Sequence, residues 1–508
     1  MAALDPGIAI GVIGAGTMGA GIAQVAAMAG HPVALYDTRE GVADRSIAGI
    51  AVSLEKLAAR KKIDANQAAR AIAALRPAQN LEALADCGLL IEAIVESLDI
   101  KARLFSVLEN IVSPTCLLAT NTSSIPVTAI GAALKHPGRL GGMHFFNPAP
   151  RLPLVEIVSG LDTSHDTAQC LFDTAAAWGK SPVLARSTPG FIVNRVARPF
   201  YGEGLRLLQE QALDAATLDH VLRACGGFRM GPCELTDLIG QDVNAAVSHS
   251  VWTAFYYAPR FEPSQVQQAL VDGGRLGRKS GRGFFDYSAG AAVLAPSLAK
   301  AQPCPTHITL FGSSPLARAL GQRLQAAGVV LQLSAEHSDG RIAQADQAVV
   351  YLTDGRSATQ RAHDLNEPAT VLLDLLLDPD TASCIPLAAG RRCPSAAVSA
   401  ATGLLQAAGL DVVPIRDVPG MVVMRTVAML VNEAADTVSQ GVCTAADVDR
   451  AMCLGVNYPL GPLEWGARIG AATVGMVLTH LQVAYGDRYL PCAALQSSIY
   501  SGIPIHVA

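Results

Sequence analysis

The sequence predicts an α/β unit, a helical unit, a shortened α/β unit and a second helical unit, in that order. Three observations predict it. First, "GPCELTDLIG" at 231–240 returns as "GPLEWGARIG" at 461–470, and "STPGFIVNR" at 187–195 returns as "DVPGMVVMR" at 417–425. Both pairs share one offset, 461 − 231 = 417 − 187 = 230, so two copies of one packed helical unit are expected, with Glu203 and Asp219 falling on Glu433 and Asp449. Second, each helical copy follows an apolar run that enters a turn and a helix: "IAIGVIGAGTMGAG" around Ile10 and "ITLFGSSPLARALG" from Ile308. Third, Ile10 matches Ile308 at an offset of 298, so the second α/β copy is shorter by the difference, 298 − 230 = 68. The expected boundaries are 1–186, 187–290, 303–416 and 417–508.

Each element has a local reason. In the helical copies, "VARPFYGEGLRLLQEQAL" keeps its apolar residues on one face, and Gly or Pro punctuates the ends. Half of the 508 residues are apolar and 16% are charged, below the usual ~25%, which describes a well-buried globular chain. Apolar runs such as "VLLDLLLD" are short and broken by acids, so no membrane span is expected. "MAALDPG" lacks the basic start and apolar core of a secretory signal. The eleven cysteines contain no C-x-x-C pair, so no metal site is expected, and they read as reduced, buried residues of a cytoplasmic protein. A net charge of −5 gives no field for nucleic acid.

Gly14, Gly16 and Gly19 in "GAGTMG" fit G-x-G-x-x-G between a strand and a helix. Together with Ala15, Thr17 and Met18 they form a loop suited to a dinucleotide pyrophosphate in a Rossmann domain. The glycines allow a tight turn and close approach, and the helix N-terminus offers free N–H groups and partial positive charge. The next strand, "PVALYD", ends in Asp37, an acid placed to bind a ribose diol and repel a 2′-phosphate, which favours NAD over NADP. A ligand-free turn and a flavin are the other readings. In the second copy Gly16, Gly19 and Asp37 become Ser314, Ala317 and Ala335, so no nucleotide is expected there.

A strand-like run ends at His144 in "GGMHFFNPAPRLPLVEIV", and the next carries Glu156. Side by side they would make a general base and the carboxylate that orients it. Spacing alone does not separate this from a structural histidine.

Taken together, "GAGTMGAGIAQ", "NTSSIP", "HFFNP", "LVEIV" and "TPGFIVNR" resemble the L-3-hydroxyacyl-CoA dehydrogenases of β-oxidation, over about residues 8–290. The layout with a degenerate second copy is similar to the long bacterial enzymes of phenylacetate catabolism, which act on 3-hydroxyadipyl-CoA or shorter hydroxyacyl-CoA esters. The resemblance implies that His144 takes the 3-hydroxyl proton while Glu156 holds it ready. It places Ser123 and Asn194 at the hydroxyl and thioester carbonyl, against plainer readings as a helix N-cap and a satisfied helix residue. It gives Glu96, Lys101, Asn147 and Lys279 to the NAD site, a solvated lysine being the competing reading for Lys279. It gives Ser53, Arg60 and again Ser123 to coenzyme A, with a solvated "ARKK" helix face as the alternative. Thr120 stands where the family usually has Ser.

Two other functions compete. A dehydrogenase of free hydroxy or sugar acids, of the gulonate or lambda-crystallin type, is expected to show H-x-x-N-P-P, whereas Ala149 follows "HFFNP" here. A non-catalytic NAD-binding scaffold is the reading preferred for the second half alone, where Met424 replaces Asn194. The stretch missing from the second α/β copy is expected to include the "HFFNP" region. An acyl-CoA partner and a homodimer are expected, with part of the helical contact satisfied inside the chain by the two repeats.

Overall fold

Strand β1 (Ile10–Ile13) is buried at all four positions, as befits a parallel strand with helices over both faces. The structure is a computed structural model that describes residues 2–334, 340–503 and 505. Its chain forms two compact units. One runs up to Arg195 and takes in Gln440–Val456; the other comprises Val196–Ser439 and the residues from Asn457 onward.

The first unit is built on eight strands: β1, β2 (Val33–Tyr36), β3 (Leu75–Pro77), β4 (Leu89–Glu92), β5 (Leu117–Thr120), β6 (Leu140–Phe145), β7 (Leu154–Ser159) and β8 (Ser181–Arg186). Their order is β3-β2-β1-β4-β5-β6-β7-β8. All neighbours are parallel except β6 and β7, which run antiparallel. The order reverses between β1 and β4, and in such doubly wound sheets ligands bind beyond the strand ends at that switch point. The helix Thr17–Met28 packs Ile22, Ala23 and Ala26 into the core beneath it. One contact has no local sequence signal: the helix Ala445–Val456, from the second repeat, packs on β7 and β8. The N–H of Arg186 donates to the Val442 carbonyl at 2.8 Å.

The second unit holds a seven-stranded sheet of β9 (Ile308–Phe311), β10 (Gln332–Ser334), β11 (Arg341–Ala345), β12 (Ala348–Leu352), β13 (Thr370–Leu373), β14 (Cys384–Ala389) and β15 (Asp411–Pro414). The order is β10-β9-β11-β12-β13-β14-β15. Here β11 is antiparallel to both its neighbours, β9 and β12. The helices Arg198–Gln209 and Val423–Ser439, the matching first long helices of the two repeats, face each other within this unit. Buried Arg425 joins them, reaching Glu203 at 2.8 Å and both oxygens of Glu210 at 2.8 and 2.9 Å. Burial alone would raise the Glu203 carboxyl, but the cations of Arg206 and Arg425 outweigh it and hold the group below its ordinary value. The repeats thus satisfy this contact internally.

The register corrects one expectation. Strands β7 and β14 begin at the repeat offset, 384 − 154 = 230, and so do β6 and β13, 370 − 140 = 230. The antiparallel pair that carries His144 and Glu156 is therefore retained, with Asp374 and Pro386 at those positions. The "HFFNP" region is replaced, not deleted. The loss falls between β2 and β5. In the first half the chain steps 117 − 36 = 81 from Tyr36 to Leu117; in the second it steps only 348 − 334 = 14 from Ser334 to Ala348. What disappeared is the stretch that in the first half includes Ser53, Arg60, Glu96 and Lys101. Ala335 lies outside the described residues.

Candidate active site

The glycine loop is shaped for a close-approaching phosphate. Gly14 has φ +101°, and a Cβ there would strike the Ala93 carbonyl oxygen; a Cβ on Gly19 would strike the Gly14 oxygen. Around Gly16 there is open space where a Cβ would stand, and no side chain caps the helix Thr17–Met28. Its first N–H groups can therefore serve an anion. The Asp37 carboxylate accepts the Ala15 N–H at 3.0 Å. Hydrogen bonding by the Arg39 side chain, 70% exposed, is the main cause that holds Asp37 down at about 2, so it is ionised at any working pH. These residues fit a dinucleotide with a free ribose diol. In the second half, Ser314 caps its own helix by accepting the Ala317 N–H at 3.2 Å, and Pro315 removes another donor. The anion seat is filled by the protein itself.

His144 and Glu156 stand directly opposite each other on β6 and β7. His144 Nδ1 lies 2.6 Å from Glu156 Oε2, and both residues are buried. The other oxygen, Oε1, accepts the N–H groups of Ile192 and Val193 at 3.0 and 2.9 Å. A carboxylate with no remaining freedom fixes the ring: it accepts a hydrogen bond from Nδ1–H and leaves Nε2 with its lone pair. Phe146 lies against the imidazole with ring centres 4.5 Å apart. Asn194, in the helix Val193–Val196, donates to the Ser123 carbonyl at 3.3 Å, which ties the two remaining expected residues together.

Glu96 holds the Ser123 turn through Thr122 Oγ1, the Ser123 N–H at 3.0 Å and Ser124 Oγ at 3.1 Å. Burial would raise its carboxyl; the Lys101 ammonium and these donors reverse that and lower it. Lys101 is 1% exposed, and its ammonium sits on Glu92 at 2.6 Å and Glu96 at 3.1 Å. Among the cofactor candidates it is therefore buried behind Glu96. Asn147 is exposed on the loop after β6. Ser53 and Arg60 are exposed, two helical turns apart along and just past the helix Val42–Ala59, so they share a face. Lys279 belongs to the second unit, where it pairs with Asp242 at 2.5 Å.

Three residues escaped the sequence reading. Buried Glu92 ends β4 and accepts from Ile94 N–H, Lys101 and Thr120 Oγ1. The signal was an acid closing the apolar run "GLLIE". Asn121 accepts the Phe145 N–H at 2.8 Å and so joins the Ser123 turn to the His144 strand. Gln440 accepts from buried Arg195 at 2.9 Å, and only the fold brings those two together.

Comparison with known proteins decides the family. Residues 9–188 match the 3-hydroxyacyl-CoA dehydrogenase NAD-binding domain. Residues 190–287 and 420–502 match the C-terminal domain of the same enzymes, and 350–419 match the 3-hydroxybutyryl-CoA dehydrogenase reduced Rossmann-fold domain. The chain is 44% identical to a 3-hydroxyadipyl-CoA dehydrogenase of Escherichia coli, covering 96% of both chains. The chain belongs to the 3-hydroxyacyl-CoA dehydrogenase family. A crystal structure of an Escherichia coli 3-hydroxybutyryl-CoA dehydrogenase superimposes with TM-score 0.89 at 43% identity, over 98% of this chain and all of that one. A probable 3-hydroxybutyryl-CoA dehydrogenase of Deinococcus radiodurans is 39% identical and matches over 99% of its own length but 54% of this chain. As a 3-hydroxyacyl-CoA dehydrogenase, the protein is an oxidoreductase that uses NAD and acts on a CoA ester. Among the described residues no helix is long and apolar enough to cross a membrane.

Proposed function

We propose that this dehydrogenase oxidises the 3-hydroxyl of an L-3-hydroxyacyl-CoA to the 3-oxo group with His144 as general base. The observation that carries the reading is the buried 2.6 Å contact between His144 Nδ1 and Glu156 Oε2. It leaves Nε2 to receive the hydroxyl proton while Glu156 stabilises the imidazolium that forms. NAD, when bound, supplies the hydride acceptor for C3. Gly14, Ala15, Gly16, Thr17, Met18 and Gly19 hold its pyrophosphate and Asp37 its ribose, with Glu96 and Asn147 as further contacts. Lys101 serves by holding Glu96. Ser123 and Asn194 position the hydroxyl and the thioester carbonyl, and Ser53 and Arg60 meet the nucleotide end of coenzyme A. The four-part division at 186/187, 290/303 and 416/417 describes the inherited domains, supported by sheets that end at Arg186 and Pro414.

The substrate is 3-hydroxyadipyl-CoA or a shorter hydroxyacyl-CoA of phenylacetate or fatty-acid catabolism, supported by the full-length relative named for the former. The enzyme works in the cytoplasm, supported by eleven cysteines outside any disulfide, two of which, Cys225 and Cys384, share a thiol–thiol hydrogen bond at 3.4 Å. It forms a homodimer, supported by Leu238, Ile239 and Val243, which are 38–46% exposed on adjoining helices; light scattering at the monomer mass would overturn that. The second half is a scaffold, supported by the self-capped turn at Ser314.

The test compares NADH formation from 3-hydroxybutyryl-CoA, 3-hydroxyadipyl-CoA and free 3-hydroxybutyrate. CoA esters are turned over and the free acid is not; equal rates, or none, would sink the proposal. His144→Gln is expected to lose most turnover and keep NAD affinity.

A further inference from the structure

The degenerate half lends a segment to the catalytic unit, and three contacts converge on the reacting pair. Gln440 Oε1 accepts from Nη1 of Arg195, whose guanidinium is buried and whose backbone neighbours Asn194. Gly455 lies so close to the first sheet that an added Cβ would stand 2.6 Å from Leu154 Cδ2, 3.3 Å from Val193 Cγ2 and 3.8 Å from Phe146 Cε1. Cys443 sits beside them: burial first, then the carboxylates of Asp447 and Glu156, push its thiol up to about 12.

Each contact backs a part of the site. Val193 supplies one of the two N–H groups that fix Glu156 Oε1. Phe146 lies on the imidazole. Arg195 belongs to the short helix that carries Asn194. A shift of Gln440–Val456 would move the entry to that helix, and with it the carboxylate that aims His144. Misplacement of reacting groups by about 1 Å costs up to about a hundred-fold in rate.

We propose that Gln440 and Gly455 of the second repeat are positioning residues for the His144–Glu156 pair, so that the half without chemistry of its own sets the geometry of the half that has it. The inference rests on the reaction proposed above. A built-in control follows from the repeat: 195 + 230 = 425 and 440 − 230 = 210, so Arg425 and Glu210 make the matching contact in the second unit, as an ion pair.

The experiment measures kcat and KM in the full-length enzyme with 3-hydroxybutyryl-CoA and NAD. Folding is checked first by circular dichroism and thermal unfolding. Gln440→Ala should lower kcat by about ten-fold to a hundred-fold while KM for NAD moves less than about two-fold. Gln440→Glu, which keeps the acceptor and copies the Arg425–Glu210 pair, should recover most of the lost rate. Glu210→Ala removes the matching bond away from the site and should lower the unfolding temperature with kcat held within about two-fold. Gly455→Ala provides a second route if Gln440→Ala does not fold, and should lower kcat in the same way. Wild-type kcat in both Gln440→Ala and Gly455→Ala would overturn the proposal, as would equal loss in Gln440→Ala and Glu210→Ala. An inactive wild-type enzyme would instead sink the reaction, so the two failures are distinguishable.

Discussion

Replacing Glu156 by Gln keeps the size of the side chain and changes one hydrogen-bonding instruction. In the wild type, Oε1 accepts from Ile192 and Val193 and Oε2 accepts from the His144 Nδ1–H. With Gln, the amide oxygen can keep the two backbone donors, because leaving them unpaired in the buried site would cost about 1–3 kcal/mol each. The NH2 group must then face His144 Nδ1, and a donor there demands a lone pair. The imidazole proton moves to Nε2, where the base should be. Loss of the correct tautomer costs about 10³–10⁴ in kcat, equivalent to about 4–5.5 kcal/mol of barrier. Stability should fall little, since both backbone N–H groups keep their acceptor. The assay is NADH formation from 3-hydroxybutyryl-CoA, with NAD affinity by fluorescence and unfolding by urea. A Glu156→Gln enzyme that keeps more than about a tenth of wild-type kcat would refute the reasoning, because Glu156 would then not control the base.

Asp37→Ser should leave the exposed Arg39 without its carboxylate and lower the ratio of kcat/KM for NAD over NADP at least about ten-fold; an unchanged ratio would remove Asp37 from the ribose site. Arg60→Ala should raise KM for the CoA ester about five-fold at low salt, with kcat unchanged and the effect shrinking as salt is added, as for an exposed phosphate contact. Burial raises the Asp374 carboxyl to about 6, so the folded chain holds that proton more tightly than the unfolded one. Its contribution of about 3 kcal/mol is therefore full below about pH 4 and lost as pH rises through 6. Asp219, raised to about 6 mainly by burial, acts in the same direction. Asp374→Asn should accordingly reduce, not abolish, the gain in urea midpoint between pH 7 and pH 5, and an identical gain would contradict it.

What could be read from the sequence was what short segments determine. The glycine turn, Asp37 at a strand end and the strands carrying His144 and Glu156 each follow from a few consecutive residues, so their elements were legible. Their meeting was not, because opposition across β6 and β7 depends on strand register. The fate of Lys101 was hidden for a related reason: nothing in its helix says that Glu92, on the preceding strand, will turn its carboxylate onto it. The replacement of "HFFNP" was not legible either, because "TVLLDLLLD" carries neither His nor Asn, and its two acids, Asp374 and Asp378, do not say in which register it lies on "LGGMHFFNP". Only the common offset of β6 to β13 and of β7 to β14 fixes it. Arg195 and Gln440, 245 residues apart, leave no local trace at all.

Glu156 and Asp374 together explain why one half could lose its chemistry and keep its fold. Asp374 Oδ2 accepts the N–H groups of Val422 and Val423 at 2.9 and 2.7 Å, and Oδ1 accepts that of Met424 at 3.0 Å. Val422 and Val423 are the repeat counterparts of Ile192 and Val193, so the same helix entry is held by a carboxylate in both halves. Buried N–H groups make that acceptor obligatory, but they do not specify the strand from which it reaches. The longer Glu side chain reaches from β7, and the shorter Asp from the end of β13. The histidine has no backbone group to satisfy, so folding places no demand on it, and an acid can occupy its position and take over the anchoring. In the first half the two demands fall on one side chain, Oε1 holding the helix and Oε2 holding the base. Glu156→Gln is informative for this reason: it leaves the anchoring oxygen in place and alters only the atom that faces His144.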